Sequence, residues 1–98
     1  MSETDWTFAE LEPTDELAKL HFFSLKKQQG DRTIEFRITI QEFASRHQLL
    51  MRYFAQADKQ INQKTLPYTP SGWGETLLKA LGEVVKAIHQ FPYEGEDA

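Results

Sequence analysis

The chain has 98 residues and no cysteine, with 11 basic against 15 acidic side chains and a formal net charge of -4. That length supports one domain with one modest core and excludes a second. The missing cysteines exclude disulfides, thiolate nucleophiles and zinc sites built on sulfur; with no signal-like leader and no apolar run approaching the ~20 residues of a membrane span, a cytoplasmic location without a membrane partner is expected.

Charge divides the chain into three parts. Residues 1–18 carry six acids and no Lys or Arg, residues 19–64 nine bases against four acids, and residues 65–98 two lysines against five acids. The division predicts an acidic N-terminal arm over residues 1–19, a single α+β domain over 20–92 and an acidic, disordered tail over 93–98.

After the arm, Leu20 to Lys27 is β-prone, and Gln28-Gln29-Gly30-Asp31 supplies the glycine that a tight hairpin turn favours. Residues 32–41 then alternate strictly: Ile34, Phe36, Ile38 and Ile40 are interleaved with Thr33, Glu35, Arg37, Thr39 and Gln41. That period of two marks a half-buried strand. A two-residue loop places His21, Phe23 and Leu25 on the face of Ile34, Phe36 and Ile38. Sliding the loop by one residue keeps that face, because the sum of paired positions changes by two.

A polar turn at Ser45-Arg46-His47-Gln48 precedes a third strand over Leu49 to Ala57, whose mixed alternation leaves its faces open. Asp58 to Lys64 reads as a turn and Thr65 to Thr69 as a fourth strand, confined to a sheet edge because Pro67 cannot donate to a ladder. Ser71-Gly72-Trp73-Gly74 is expected to break the chain before a helix. There Leu77, Leu78, Leu81, Val84, Val85 and Ile88 form one apolar stripe, opposite Lys79, Glu83, Lys86 and Gln90. Glu75 and His89 suit the two ends of the helix dipole, and Pro92 follows the natural stop. The expected fold is thus α+β, an antiparallel β-meander of three to four strands packed on one C-terminal amphipathic helix.

The run Gly74-Glu75-Thr76-Leu77-Leu78-Lys79-Ala80-Leu81, followed by Ala87-Ile88, resembles the helix that closes HicB-like antitoxin domains. The likeness extends over residues 20–91 in order of elements and over 74–88 in motif. It implies a truncated ribonuclease-H-like or double-stranded-RNA-binding-like sandwich and, as partner, a small ribonuclease toxin.

The chemistry-bearing residues point to binding rather than catalysis. His21 falls on the expected core face, His47 in a turn and His89 at a helix end, so none has a partner at ligand spacing, and neither a metal nor another cofactor is expected. Glu35 and Glu42 lie too far apart along their strand for a glycosidase-like pair. Ser71, Gly72, Trp73 and Gly74 offer a loop whose backbone N–H groups face an anion ahead of a helix N-terminus; the alternative is that Trp73 plugs one end of the core.

The outer face of the sheet is the principal candidate. It carries Phe22, Lys26 and Arg37, joined by Arg52 and Phe54 from the third strand, a layout of aromatics among cations that stacks and neutralises single-stranded nucleic acid. Two other covers fit the same face. Trp6, Phe8 and Leu11 of the arm bring apolar surface while Asp5, Glu10 and Glu12 offset Arg37 and Arg52, or a second subunit packs there. The expected role is a non-enzymatic binding or regulatory module acting through a protein partner or as a homodimer, with nucleic-acid binding as the alternative and a small enzyme as the third possibility.

Overall fold

The computed structural model describes residues 17–43 and 51–95. Four antiparallel strands, β1 (Ala18–Gln29), β2 (Arg32–Phe43), β3 (Tyr53–Ala57) and β4 (Ser71–Gly74), form one sheet in the order β1-β2-β3-β4, and helix α1 (Leu77–Gln90) closes it. The expected α+β meander with a C-terminal helix is the observed fold. The acidic arm to residue 16 and the turn at Ser45–Gln48, with Leu49 and Leu50, lie outside the described residues.

The β1–β2 hairpin turns on Gly30 and Asp31, with Gln29 opposite Arg32. Gly30 has φ +66°, a left-handed conformation that costs a side-chain-bearing residue steric strain. From this register Phe23 faces Ile38 and Leu25 faces Phe36, the faces expected from the alternation. Ile34, Phe36, Ile38 and Ile40 are fully buried on the helix side, with Ala55 and Ala57 from β3 and Ala80, Val84 and Ile88 from α1. Each large side chain so buried contributes roughly 1.5 to 3 kcal/mol.

The structure corrects the expectations for residues 65–74. Thr65 to Thr69 is not a strand: apart from one bridge between Ile61 and Tyr68 it is irregular, and Pro67 breaks any ladder there. Ser71–Gly74, expected as a break, is instead the fourth strand, with Phe54 opposite Trp73 and Ala55 opposite Gly72. Its glycines serve packing rather than a turn. A Cβ on Gly74 would stand 2.5 Å from the backbone nitrogen of Ala80, and one on Gly72 would collide with Glu83, so α1 rides directly on the strand backbone.

Thr76 caps the helix, its Oγ1 accepting the N–H of Lys79 at 3.1 Å. The buried stripe is Ala80, Val84, Ala87 and Ile88, flanked by partly buried Leu77 and Leu81. Leu78, expected in the stripe, is 74% exposed. The reason is angular: the close approach over Gly72 and Gly74 centres the stripe on Ala80, and Leu78 lies about 200° round the helix from it.

The tail is also corrected for residues 93–95. Tyr93 is buried and meets Phe36 edge to face at 6.2 Å. Its backbone N–H and C=O are both taken by the Gln29 amide, at 2.9 and 2.8 Å. Glu94 and Gln63 complete the strap from the other side: the Lys64 N–H donates to the Glu94 carboxylate, and the Glu94 N–H to Oε1 of Gln63. Polar side chains at the hairpin tip thus hold backbone that the acidic composition suggested was loose. Residues 96–98 lie outside the described residues.

Candidate functional site

The outer sheet face carries Phe22, Lys26 and Arg37, as the alternation requires, and Phe54, set there by its register opposite Gln41. Phe22 is 70% exposed, and the Arg37 guanidinium projects into solvent. Lys26 sits opposite Glu35 across the hairpin. Glu35 accepts the Ser24 hydroxyl at 2.7 Å, and that bond, with Arg37 and Lys26 nearby, holds its carboxyl below the usual range. Arg37 and Phe54 meet along a groove of about 210 Å³ that also carries Thr39, Gln41, Gln56 and Asp58. Arg52 stands apart at the sheet end, where its Nε donates to the Phe43 carbonyl at 3.0 Å.

Trp73 corrects the expected core plug. It faces away from α1 and lies on this outer face, its ring 4.8 Å from that of Phe54 and 6.0 Å, nearly parallel, from that of Phe43. The signal was present in Gly72-Trp73-Gly74: if two glycines lie under a helix, the residue between them points the other way. Phe43 follows equally from extending the β2 alternation past Gln41. The anion-binding reading of Ser71–Gly74 fails on the same finding, since the segment is strand backbone paired to β3 and the first helical turn is capped by Thr76.

The second feature is the free edge of β1. Its only neighbour among the described residues is β2. The Phe43 N–H donates to the Arg52 carbonyl at 3.0 Å, so odd-numbered residues of β2 direct their backbone groups to β3 and even-numbered ones to β1. The register pairs those with odd-numbered residues of β1. The N–H and C=O groups of Ala18, Leu20, Phe22, Ser24, Lys26 and Gln28 therefore point out along the open edge. Apolar side chains accompany them: besides Phe22, Leu20 is 48% and Phe23 38% exposed. An open hollow of about 350 Å³ runs past Phe22, Phe23 and Ser24.

A polar cluster on the helix side joins three strands below this edge. Glu42, only 5% exposed, lies 2.9 Å from His21 Nε2 and also accepts a hydrogen bond from Tyr53. Burial pushes the Tyr53 hydroxyl above its ordinary value of 10.0, and the Glu42 charge adds to the shift. His21, expected in the core, thus acts as the partner of a buried carboxylate. Its pairing was hidden in the sequence because it joins residues 21 positions apart that are diagonal, not opposite, in the register. At the other end of the hairpin the Lys27 Nζ donates to the carbonyls of Ile88 and Phe91 at the C-terminus of α1, and burial lowers its pKa.

Among the described residues no group of three or more His, Cys, Asp or Glu side chains is placed to hold a metal ion, and no helix is long and apolar enough to cross a membrane. No family model, no curated protein and no solved structure matches the chain.

Proposed function

We propose that this chain is a small non-enzymatic binding module that acts through a protein partner, accepting an extended segment as a fifth strand along β1. The observation that carries it is the twelve-residue edge strand with its outward N–H and C=O groups flanked by Leu20, Phe22 and Phe23. Long, flat, apolar edges are what folded proteins ordinarily shorten, charge or cover, and main-chain pairing along such an edge is a general mode of peptide capture. The likeness of Gly74–Leu81 to the closing helix of HicB-like antitoxins supports the same class, a module whose partner is a protein, and would make that partner a ribonuclease toxin.

A direct test uses an edge proline. Ser24→Pro removes an N–H that points outward and leaves the β1–β2 ladder intact, because proline is tolerated where its missing donor faces solvent. The probe is a fluorescent peptide of alternating Glu and Val, whose acids, all on one face, complement Lys26 on the outer face. Anisotropy should rise with the wild-type chain and stay flat with Ser24→Pro. Binding that survives the proline, or no binding to the wild type at concentrations where it is monomeric, contradicts the proposal.

Nucleic-acid binding on the outer face is the second candidate, and the accessible pair of Trp73 and Phe54 near Arg37, backed by buried Phe43, favours it. Such platforms hold bases by ring stacking, with each aromatic worth about 1 to 3 kcal/mol, and release them as salt rises. An oligothymidine titration at low salt should then quench Trp fluorescence and lose affinity in Phe54→Ala. Affinity unchanged in that variant would rule this role out.

A further inference from the structure

We infer that the strand accepted by β1 is the β1 of a second copy, paired antiparallel about a two-fold axis through Phe22, so that two four-stranded sheets become one of eight strands. The inference rests on the strand-accepting role proposed above and names its occupant.

Geometry limits the choice. A two-fold axis between identical antiparallel strands opposes residue i to residue j with a constant sum, and outward-facing groups meet only when even-numbered residues oppose even-numbered ones. That leaves axes through successive residues near the centre of the strand. Side-chain chemistry separates them, since like charges directly opposite are destabilising and aromatic or apolar pairs are stabilising.

An axis at Phe23 sets Lys19 opposite the second copy's Lys27 at both ends of the helix-side face. An axis at Ser24 places Phe22 against Lys26 and Leu20 against Gln28, leaving the aromatics unpaired. An axis at His21 brings the two imidazoles face to face, each already engaged with a buried Glu42. The axis at Phe22 has none of these faults. It opposes Phe22 to Phe22, Leu20 to Ser24 and Ala18 to Lys26 on the outer face, and His21 to Phe23 and Lys19 to Leu25 on the inner face. No like charges stand opposite one another. The pairing runs from residue 18 to residue 26, about 30 Å of strand with about ten backbone hydrogen bonds. It covers Leu20, Phe22 and Phe23, the exposed apolar side chains of the edge.

This register fixes which residues can be bridged. Hydrogen-bonded pairs in an antiparallel ladder hold their Cα atoms about 5.5 Å apart, within disulfide range, whereas a residue and its own copy at position 20 or 24 are separated by about four residues of strand, roughly 13 Å. The chain has no cysteine of its own to interfere.

The experiment measures mass by light scattering from low to high micromolar concentration, then oxidises three variants: Leu20→Cys, Ser24→Cys, and the two together. The expected result is a dimer of the wild type, a monomer of folded Ser24→Pro, and a covalent dimer of the double variant with at least tenfold less from either single one. A covalent dimer of Ser24→Cys alone would place the axis at Ser24 and overturn the register while leaving strand acceptance intact. A wild-type monomer at high micromolar concentration that still binds the Glu-Val peptide would overturn the second copy as occupant and leave the edge free for another chain. A dimer that Ser24→Pro does not dissociate would overturn both. Circular dichroism matched to wild type shows that the proline variant is folded; if it is not, Leu20→Pro takes its place, its N–H also pointing outward.

Discussion

Two glycine-to-alanine substitutions eight residues apart, at Gly74 and Gly82, should move stability in opposite directions, and the contrast tests how α1 meets β4. Gly74 lies buried in β4, and a methyl group added there would stand 2.5 Å from the Ala80 backbone nitrogen and 2.9 Å from the Lys79 Cβ. Backbone cannot swing aside as a side-chain tip does, so α1 must lift from the sheet. Overpacking of this kind costs about 1 to 3 kcal/mol, and the entropy removed from the unfolded chain returns only about 0.4 to 1 kcal/mol. Gly74→Ala should therefore destabilise by about 1 to 2 kcal/mol. At Gly82, within α1, a methyl group meets nothing within 4 Å, and alanine is the better helix former by about 1 kcal/mol. Gly82→Ala should stabilise by nearly that amount. Urea unfolding followed by far-ultraviolet circular dichroism reads both, and the midpoints should move apart while the slopes stay equal, since neither change alters the surface exposed on unfolding. If Gly74→Ala were as harmless as Gly82→Ala, Ser71–Gly74 would not lie beneath the helix.

Two further outcomes follow from the cluster below the β1 edge. His21→Ala leaves the buried Glu42 carboxylate without its 2.9 Å partner and should cost about 1 to 3 kcal/mol in the same urea assay, whereas Glu42→Gln, which keeps a hydrogen-bonding side chain of the same size, should cost less than half of that; equal costs would mean that the pair is incidental. Because the folded pKa of Tyr53 is raised, its contribution to stability is complete below the ordinary value of 10.0 and is lost as pH climbs through the higher folded value. Phenolate absorbance of the folded wild type should include a component titrating above 10.0 that Tyr53→Phe removes; its survival in that variant would assign the late titration elsewhere.

The hairpin and its faces were readable from the sequence because a period of two, sustained from Thr33 to Gln41, leaves only one set of side chains to bury. The placement of Phe22 and Arg37 on the outer face followed from the same parity, whereas that of Phe54 had to await the register that sets it opposite Gln41. β4 was not readable, since glycine is ordinarily a breaker, and only the position of a helix not yet placed turns Gly72 and Gly74 into points of close approach. Leu78 escaped for a related reason. Its hydrophobicity suits the stripe, but the angular centre of the stripe is set by what the helix packs upon. The His21–Glu42 pair depends on strand register and diagonal neighbours, which composition and local pattern do not encode. The strap at Tyr93 depends on the Gln29 amide, which is more than sixty residues away in the chain.

The central claim is that the outward backbone groups of β1 are paired by the β1 of a second copy, and residue-resolved amide hydrogen exchange tests it most directly. In the isolated chain the amides of His21, Phe23, Leu25 and Lys27 are bonded to β2, while those of Leu20, Phe22, Ser24 and Lys26 face outward. Raising the protein concentration into the high micromolar range should slow exchange at Leu20, Phe22, Ser24 and Lys26 and leave the already protected odd-numbered set unchanged. Fast exchange of the four even-numbered amides at every concentration, beside slow exchange of their neighbours, would contradict it.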